Sequence, residues 1–385
     1  MKNTIKEEII ILLALIKAKT KFFRGLKPWI LIALFSGGYC IYTLMINNWD
    51  PMVFVMVGSQ FHPSQGVAEL GYDGQFAYQI AIDPANAAPF LDEPAYRYQR
   101  ILYPILAHVF AFGNTEVIPW LLILINIISL VLGTYATEKI LIAHNHSKWY
   151  ALTYGAFAGL LLSLRLDLTE PLGFALVQWG VLLFDRERIW RSLPFFALAA
   201  LTRELTLFFA AACVISLWVN KRYFSSVIWG FLSVLPFGLW QLFLRIWLGE
   251  WGVSSGGASA SPFELIPFHG WWGYLANDLK LFLLLSIFIL FVSLIPAIAG
   301  LITSLKLIII GERGFGVWIL LSNSIIFPFL PTSNVLNLPG LLRITAGLMV
   351  AVVDFGAIES SKRALRYSQL WLILLVFGEG LLAIY

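Results

Sequence analysis

The chain has 385 residues, 59% of them hydrophobic and only 12% charged, with a net charge of +4. A soluble domain carries roughly 45–50% apolar and about 25% charged residues, so this composition excludes an ordinary soluble protein and describes an integral membrane one. The basic balance, with a pI near 8.9, is what cytoplasmic loops of a polytopic protein collect, and no basic patch interleaved with aromatics marks a nucleic-acid surface.

Residues 1–27 are apolar in the middle and lysine-rich at both ends. No small-residue cleavage site follows, so the segment reads as a retained cytoplasmic interfacial helix. About 20 apolar residues cross a hydrocarbon core. On that yardstick spans are predicted near 28–47, 117–137, 149–164, 169–184, 190–203, 205–220, 226–247, 279–304, 315–330, 341–358 and 368–385. The expected architecture is an all-α polytopic bundle of about eleven transmembrane helices in one domain, residues 1–385. Two long outer loops interrupt it, 48–116 and 249–278. The second is rich in glycine and serine and carries Trp271, Trp272 and Tyr274, residues suited to a membrane interface. Cys40 and Cys213 lie inside apolar runs as small packing residues, which leaves neither a disulfide framework nor a thiolate metal site.

With a cytoplasmic N-terminus, this set of spans puts most of the 26 lysines and arginines inside, including the DRERIWR loop, Lys221 with Arg222, Lys306 with Arg313, and Lys362 with Arg363. Counting Ile101–Gly113 as a further span would reverse the later loops, so that run is expected to be an interfacial or re-entrant helix. The remaining charges then sort to the outer ends of spans: Asp73, Arg97, Arg100, Arg165, Asp167, Glu170, Arg203, Glu204, Arg245, Glu250 and Arg343. Ionisable groups at membrane depth are costly unless paired or facing a wet cavity. The set is therefore either a collection of helix-end ion pairs or a site.

Four stretches carry the question. In GYDGQFAYQIAIDP, Gly71 and Gly74 permit a tight turn around Tyr72, Asp73 and Gln75, and Phe76–Ile82 continues as an amphipathic surface helix. Asp73 is then a turn former beside glycine, or a carboxylate held at the lipid–water boundary. YRYQRILYP, in the same loop, sets Arg97 and Arg100 three apart on one helical face. In SLRLDLTEPLGF a span emerges, turns through Arg165, Asp167 and Glu170, and re-enters with Pro171 in the first helical turn. Glu170 is a cap at a helix start or a member of the site. In ALTREL two spans abut around Arg203 and Glu204, at headgroup depth, and LPTSNVLNLPGLLRIT leads to Arg343 as an outer loop able to fold over a site.

YDGQFAYQIAIDP, followed in order by YRYQRILYP, LTEPL and LTRE, resembles the GT-C superfamily of membrane glycosyltransferases. It is similar to a bacterial branch of cell-surface glycopolymer transferases and, more loosely, to the GPI mannosyltransferases. The resemblance is densest over Gly71–Pro104 and Leu164–Glu204. It implies transfer of a sugar from a polyprenyl-phosphate donor to a glycan, glycolipid or protein acceptor, on the outer face of a bacterial inner membrane. No cofactor is expected. No large soluble C-terminal domain of the kind some members carry is expected, and none of these motifs contains an adjacent acidic pair, so a metal-dependent version has no direct support. A phosphate-linked sugar already has a good leaving group, so one base and a few guanidiniums suffice. Asp73 is the expected base, and Arg203, Arg100 and Arg165 are the expected phosphate contacts, because guanidinium grips phosphate bidentately. Tyr72, Gln75, Arg97, Asp167, Glu170, Glu204 and Arg343 are expected at the acceptor or behind these groups.

Two rivals remain from the sequence. A lipid or glycolipid transporter or flippase also combines many spans with buried ionisable residues, although internal repeats and midplane charges, its usual marks, are not visible. An acyltransferase would place a histidine or serine in an outer cluster, whereas none of His62, His108, His144, His146 and His269 stands beside an acid in sequence.

Overall fold

The computed structural model describes residues 26–58, 61, 71–257, 261, 264–269, 271–272, 279, 286 and 288–377. Among these residues every regular element is helical, as lipid requires of segments whose backbone must satisfy its own N–H and C=O groups. In chain order they are α1 (Pro28–Ile46), α2 (Met52–Val55), α3 (Gly74–Ile82), α4 (Pro94–Tyr98), α5 (Leu102–Phe110), α6 (Ile118–Ala143), α7 (Ala151–Gly155) and α8 (Ala158–Arg165). There follow α9 (Glu170–Asp185), α10 (Ile189–Thr202), α11 (Leu207–Val219), α12 (Tyr223–Leu248), α13 (Ile295–Ile309), α14 (Phe315–Ser324), α15 (Thr332–Leu336), α16 (Leu338–Ile358) and α17 (Lys362–Ser368).

Five of the described helices are long and apolar enough to cross a membrane: α1, α6 with the turn before it, α12, Leu290–Ile309 including α13, and α16. Three shorter apolar helices accompany them, at Ile189–Thr202, Glu204–Val219 and Phe315–Phe329. The chain is thus a helical membrane bundle in which, among the described residues, five helices reach spanning length; they do not establish the expected count of about eleven. The run 149–164, expected as one span, is divided into α7 and α8 at Ala156 and Phe157. Phe157 takes an extended backbone and buries its ring completely, and Gly159 lies against the Leu342 carbonyl of α16. An apolar count along the chain does not register such a break. The predicted segments 279–304 and 368–385 fall partly outside the described residues, as do the interfacial helix 1–27 except Leu26 and Lys27, His62 and Tyr274.

Burial ranks the helices. The most apolar stretch of α16 is 89% buried, against 28% for α1 and for α12. So α16 is the axis of the bundle, with α6, α8, α9, α14 and α17 packed on it, while α1 and α12 turn most of their side chains to lipid. Cys40 and Cys213 are buried free thiols. Polar residues inside helices bond back to their own turn, as with Thr134 to the Leu130 carbonyl at 2.7 Å and Thr345 to that of Leu341 at 2.7 Å.

The bundle has two chemically different ends. Along the 16 residues of α9, Glu170 stands at one end and Asp185 at the other, about 22 Å apart at 1.5 Å per residue. Asp185 meets His144 at 2.9 Å, Glu187 meets Arg222 at 2.8 Å, and Glu359 accepts the Gly316 N–H at 2.9 Å. The lysine- and arginine-bearing turns lie on that side. At the opposite end the first long loop forms a helical layer. In it α3 packs against α5 and α6 through Ala81, Tyr103 and Ala107, and against α12 through Phe76, Ile80 and Leu244. The apolar face of α3 is thus covered by protein. The run Ile101–Gly113 folds as the nine-residue α5, too short to cross, with Val109, Phe110 and Phe112 exposed at its far end.

Candidate functional site

The GYDGQ turn is fastened at both glycines. Gly71 has φ +62°, and a side chain there would collide with the Gly58 nitrogen. Tyr72 N–H donates to the Met56 carbonyl at 3.0 Å, and Gln75 accepts the Gly58 N–H at 3.0 Å. Gly74 lets the turn close against the Leu166 carbonyl, which brings Asp73 beside the turn between α8 and α9. We expect Gly74→Ala to destabilise the protein by about 1–3 kcal/mol, because two backbones would have to part. A lower melting temperature in detergent checks this. Gly37→Ala, where an added methyl meets nothing, should cause no loss.

Asp73 precedes α3, yet its carboxylate does not cap the helix. It lies between two arginines from distant parts of the chain, Arg97 at 3.1 Å on one oxygen and Arg343 at 2.8 Å on the other. Arg343 also approaches the Tyr72 hydroxyl at 3.4 Å. Burial works against the charged form of Asp73, but Arg97 and Arg343 outweigh it and hold the carboxyl well below the usual carboxylate range. A depressed native pKa means that this pairing stabilises the fold fully above the ordinary carboxylate range and is lost as pH falls through the depressed value. With 32% of the side chain still exposed, water screens part of the effect.

Behind Asp73 lies a buried relay of charge. Glu170, fully buried in the first turn of α9, accepts both Arg343 Nε and Arg203 Nη1 on one oxygen, each at 2.6 Å. Its side chain is neither exposed nor a cap. Arg100 forms a two-pronged pair with Glu204 at 2.7 and 3.0 Å and donates to the Tyr96 hydroxyl at 2.9 Å. Arg97 is gripped by Asp92 at 2.6 and 2.7 Å and lies over the Phe76 ring, 4.2 Å from its centre.

A narrow cleft of about 30 Å³ opens among these groups. Asp73, Arg97, Arg100, Asp167, Thr169 and Arg343 form its polar wall, and Phe76, Ala77, Ile80, Pro104 and Leu168 form the apolar one. Of the three arginines expected at the phosphate, only Arg100 lines it. Arg203 stands one layer back, on Glu170, and Arg165 donates to the Val53 carbonyl at 2.6 Å and packs on Phe54. Arg97 and Arg343 occupy the cleft wall instead. Tyr72 and Gln75 hold the turn, and Glu204 holds Arg100.

A second cleft, of about 390 Å³, lies one turn of α4 away, between Glu93, Arg245, Glu250, Trp251, Ser254 and Ser255. The backbone at Gly257 approaches Arg97 and Asp92, so the loop after α12 borders both clefts.

Sequence reading passed over Asp92, whose signal was an acid two residues before the proline that opens α4. It also passed over Asp354, fully buried on α16 and held by Gln178 Nε2 at 3.1 Å to each oxygen. A single Asp in a long apolar run was the available sign. Among the described residues no group of three or more His, Cys, Asp or Glu is placed to hold a metal ion. No family model, curated protein or solved structure matches this chain, so the functional reading stands on its residues and their geometry.

Proposed function

We propose that this protein is an integral-membrane glycosyltransferase that moves a sugar from a polyprenyl-phosphate donor to a hydroxyl of a glycan, glycolipid or protein acceptor. The observation that carries the reading is a carboxylate set among three arginines in a cleft at one end of an apolar bundle. In the orientation favoured by the basic turns at the other end, that cleft faces the extracytoplasmic side of a bacterial inner membrane. In the reaction, Asp73 takes the proton from the acceptor hydroxyl. The oxygen then bonds to the anomeric carbon while the bond from that carbon to the phosphate oxygen breaks, its electron pair leaving with polyprenyl phosphate. Arg97, Arg100 and Arg343 stabilise the charge growing on the phosphate. Direct displacement of this kind inverts the anomeric centre. The larger cleft beside Trp251 suits an acceptor glycan, with an aromatic face and several polar groups around it.

The fold also bears on Asp73 before donor arrives. Its carboxylate is a weak base while two guanidiniums hold it. A donor phosphate competes for those guanidiniums, loosens the pairs, and returns basicity to Asp73 when the substrate is in place.

A lipid or glycolipid transporter remains the second reading, favoured by Asp354. That residue lies eleven positions past Arg343, about 16 Å deeper along α16, where an ionisable group is characteristic of transport paths. Purified protein incubated with polyprenyl-phosphate sugars decides between them. Transfer or slow hydrolysis should release polyprenyl phosphate. Movement of an intact lipid across proteoliposomes, with no bond cleaved, would replace the enzyme reading with the transporter one.

A further inference from the structure

The cleft holds two carboxyl groups, and the fold treats them oppositely. Both oxygens of Asp73 are taken by guanidiniums. Asp167, on the same cleft wall, is fully buried, and neither of its oxygens has a hydrogen-bond partner among the described residues. The nearby Tyr103 hydroxyl donates to the Leu122 carbonyl at 3.0 Å and accepts from Asn126 at 2.8 Å. Arg165, two residues earlier, turns to the Val53 carbonyl. The backbone at Asp167 is left-handed, φ +48°, a conformation that costs a non-glycine residue free energy. A buried polar group left without a partner costs about 1–3 kcal/mol, and more when charged. Strain and lost solvation therefore meet at one side chain in the wall of the cleft, which is the pattern of a group kept for a ligand.

The chemistry of that ligand follows from its neighbours. Arg97, Arg100 and Arg343 make the cleft positive, which disfavours a cation at Asp167. The carboxyl itself disfavours an anion. A neutral hydrogen-bond donor remains, and a sugar hydroxyl is the donor that a glycosyl phosphate brings alongside its charge. We propose that Asp167 forms the sugar-recognition subsite of the cleft, accepting hydroxyl groups of the ring while the arginines hold the phosphate. This proposal rests on the glycosyltransferase reading for the identity of the ligand.

Burial pushes the Asp167 carboxyl up, with Arg165 and then the Tyr103 hydroxyl pulling the other way, although the one proton of that hydroxyl is directed to the Leu122 carbonyl. Arg165, Tyr103 and, from α1, Cys40 are the titratable groups that face it, and Asp73, Arg97, Arg100 and Arg343 share its cleft. A raised native pKa means that folding takes up a proton. The resulting stability is present below the ordinary carboxylate range and declines as pH rises through the native value.

Two variants test the subsite, Asp167→Asn, which keeps the shape, and Asp167→Gly, which suits the left-handed backbone. The probes are a short-chain polyprenyl phosphate and its mannosyl and glucosyl esters, with binding measured to the detergent-solubilised full chain. Wild type should prefer at least one sugar ester over the bare phosphate, and both variants should lose that preference by about tenfold or more while binding the bare phosphate unchanged. Both should also unfold at least as high as wild type at pH 8, with the difference narrowing at pH 5. If wild type prefers a sugar ester and the variants prefer it equally, the subsite is wrong and the glycosyltransferase reading survives. If wild type shows no preference for any sugar ester, the sugar assignment falls with that reading. Variants less stable than wild type at pH 8 would make Asp167 a structural residue and overturn the proposal by themselves.

Discussion

Asp73→Asn should lower glycosyl transfer by about 10²–10⁴-fold, the usual worth of a positioned general base. Asparagine keeps the volume of the side chain and fits the turn that Gly71 and Gly74 close, so the bundle should remain folded. It cannot take a proton from the acceptor hydroxyl. It also removes the negative charge that Arg97 and Arg343 share at 3.1 and 2.8 Å. Those guanidiniums then become more available to phosphate, so a bare polyprenyl phosphate should bind as tightly as to wild type or more tightly. A fall in kcat without a rise in KM for the donor separates loss of a base from loss of a binding group. Steady-state transfer and donor binding, measured on the same preparation, check both halves. Near-full transfer by a folded Asp73→Asn protein would remove the base assignment and leave the residue as a holder of arginines.

The largest effect on stability should come from Glu170→Ala, at about 3–5 kcal/mol, the cost of removing one partner from a buried ion pair. One oxygen of Glu170 accepts from Arg203 and from Arg343, each at 2.6 Å, and those side chains are only 7% and 10% exposed. Without the carboxylate two guanidiniums face each other behind the cleft, with Arg100 nearby as a third positive charge. The loss then propagates forward, because Arg343 also holds Asp73. Glu170→Gln keeps an acceptor oxygen and should cost less. Thermal unfolding in detergent would rank the three proteins as wild type, Gln, then Ala. An Ala variant as stable as wild type would show that the relay behind the cleft contributes nothing to the fold.

A good part of this site was visible along the chain. YDGQ placed Asp73 in a turn before a helix, and the structure has it there, with α3 spanning Gly74–Ile82. Arg97 and Arg100, three apart, both line the cleft. The position of Glu170 at a helix start is equally that of a cap or of a site member, and its two arginines place it in the network. The role of Gly74 was only half legible: a turn suggested a flexible backbone, while the close approach to the Leu166 carbonyl comes from another part of the chain. Arg165 carried the same outer-end signal as Arg100, yet a backbone carbonyl satisfies it away from the cleft.

Composition by itself determined the membrane setting and the helical class, because a chain so poor in charge has no aqueous solution and lipid leaves the backbone no other way to pair. The sequence also determined which residues carry charge near helix ends. Tertiary structure alone decided which of them meet. Asp73 finds Arg343 across 270 residues and Glu170 finds it across 173, distances over which no local period gives information. The reason is packing: α16 threads the centre of the bundle, and its buried first turns carry Arg343 between a carboxylate in the turn before α3 and one in the first turn of α9. The same packing closed Asp167 into the wall without a partner. A linear chain shows that an aspartate is present, but whether its oxygens are paired depends on which donors the folded helices bring within 3 Å or so.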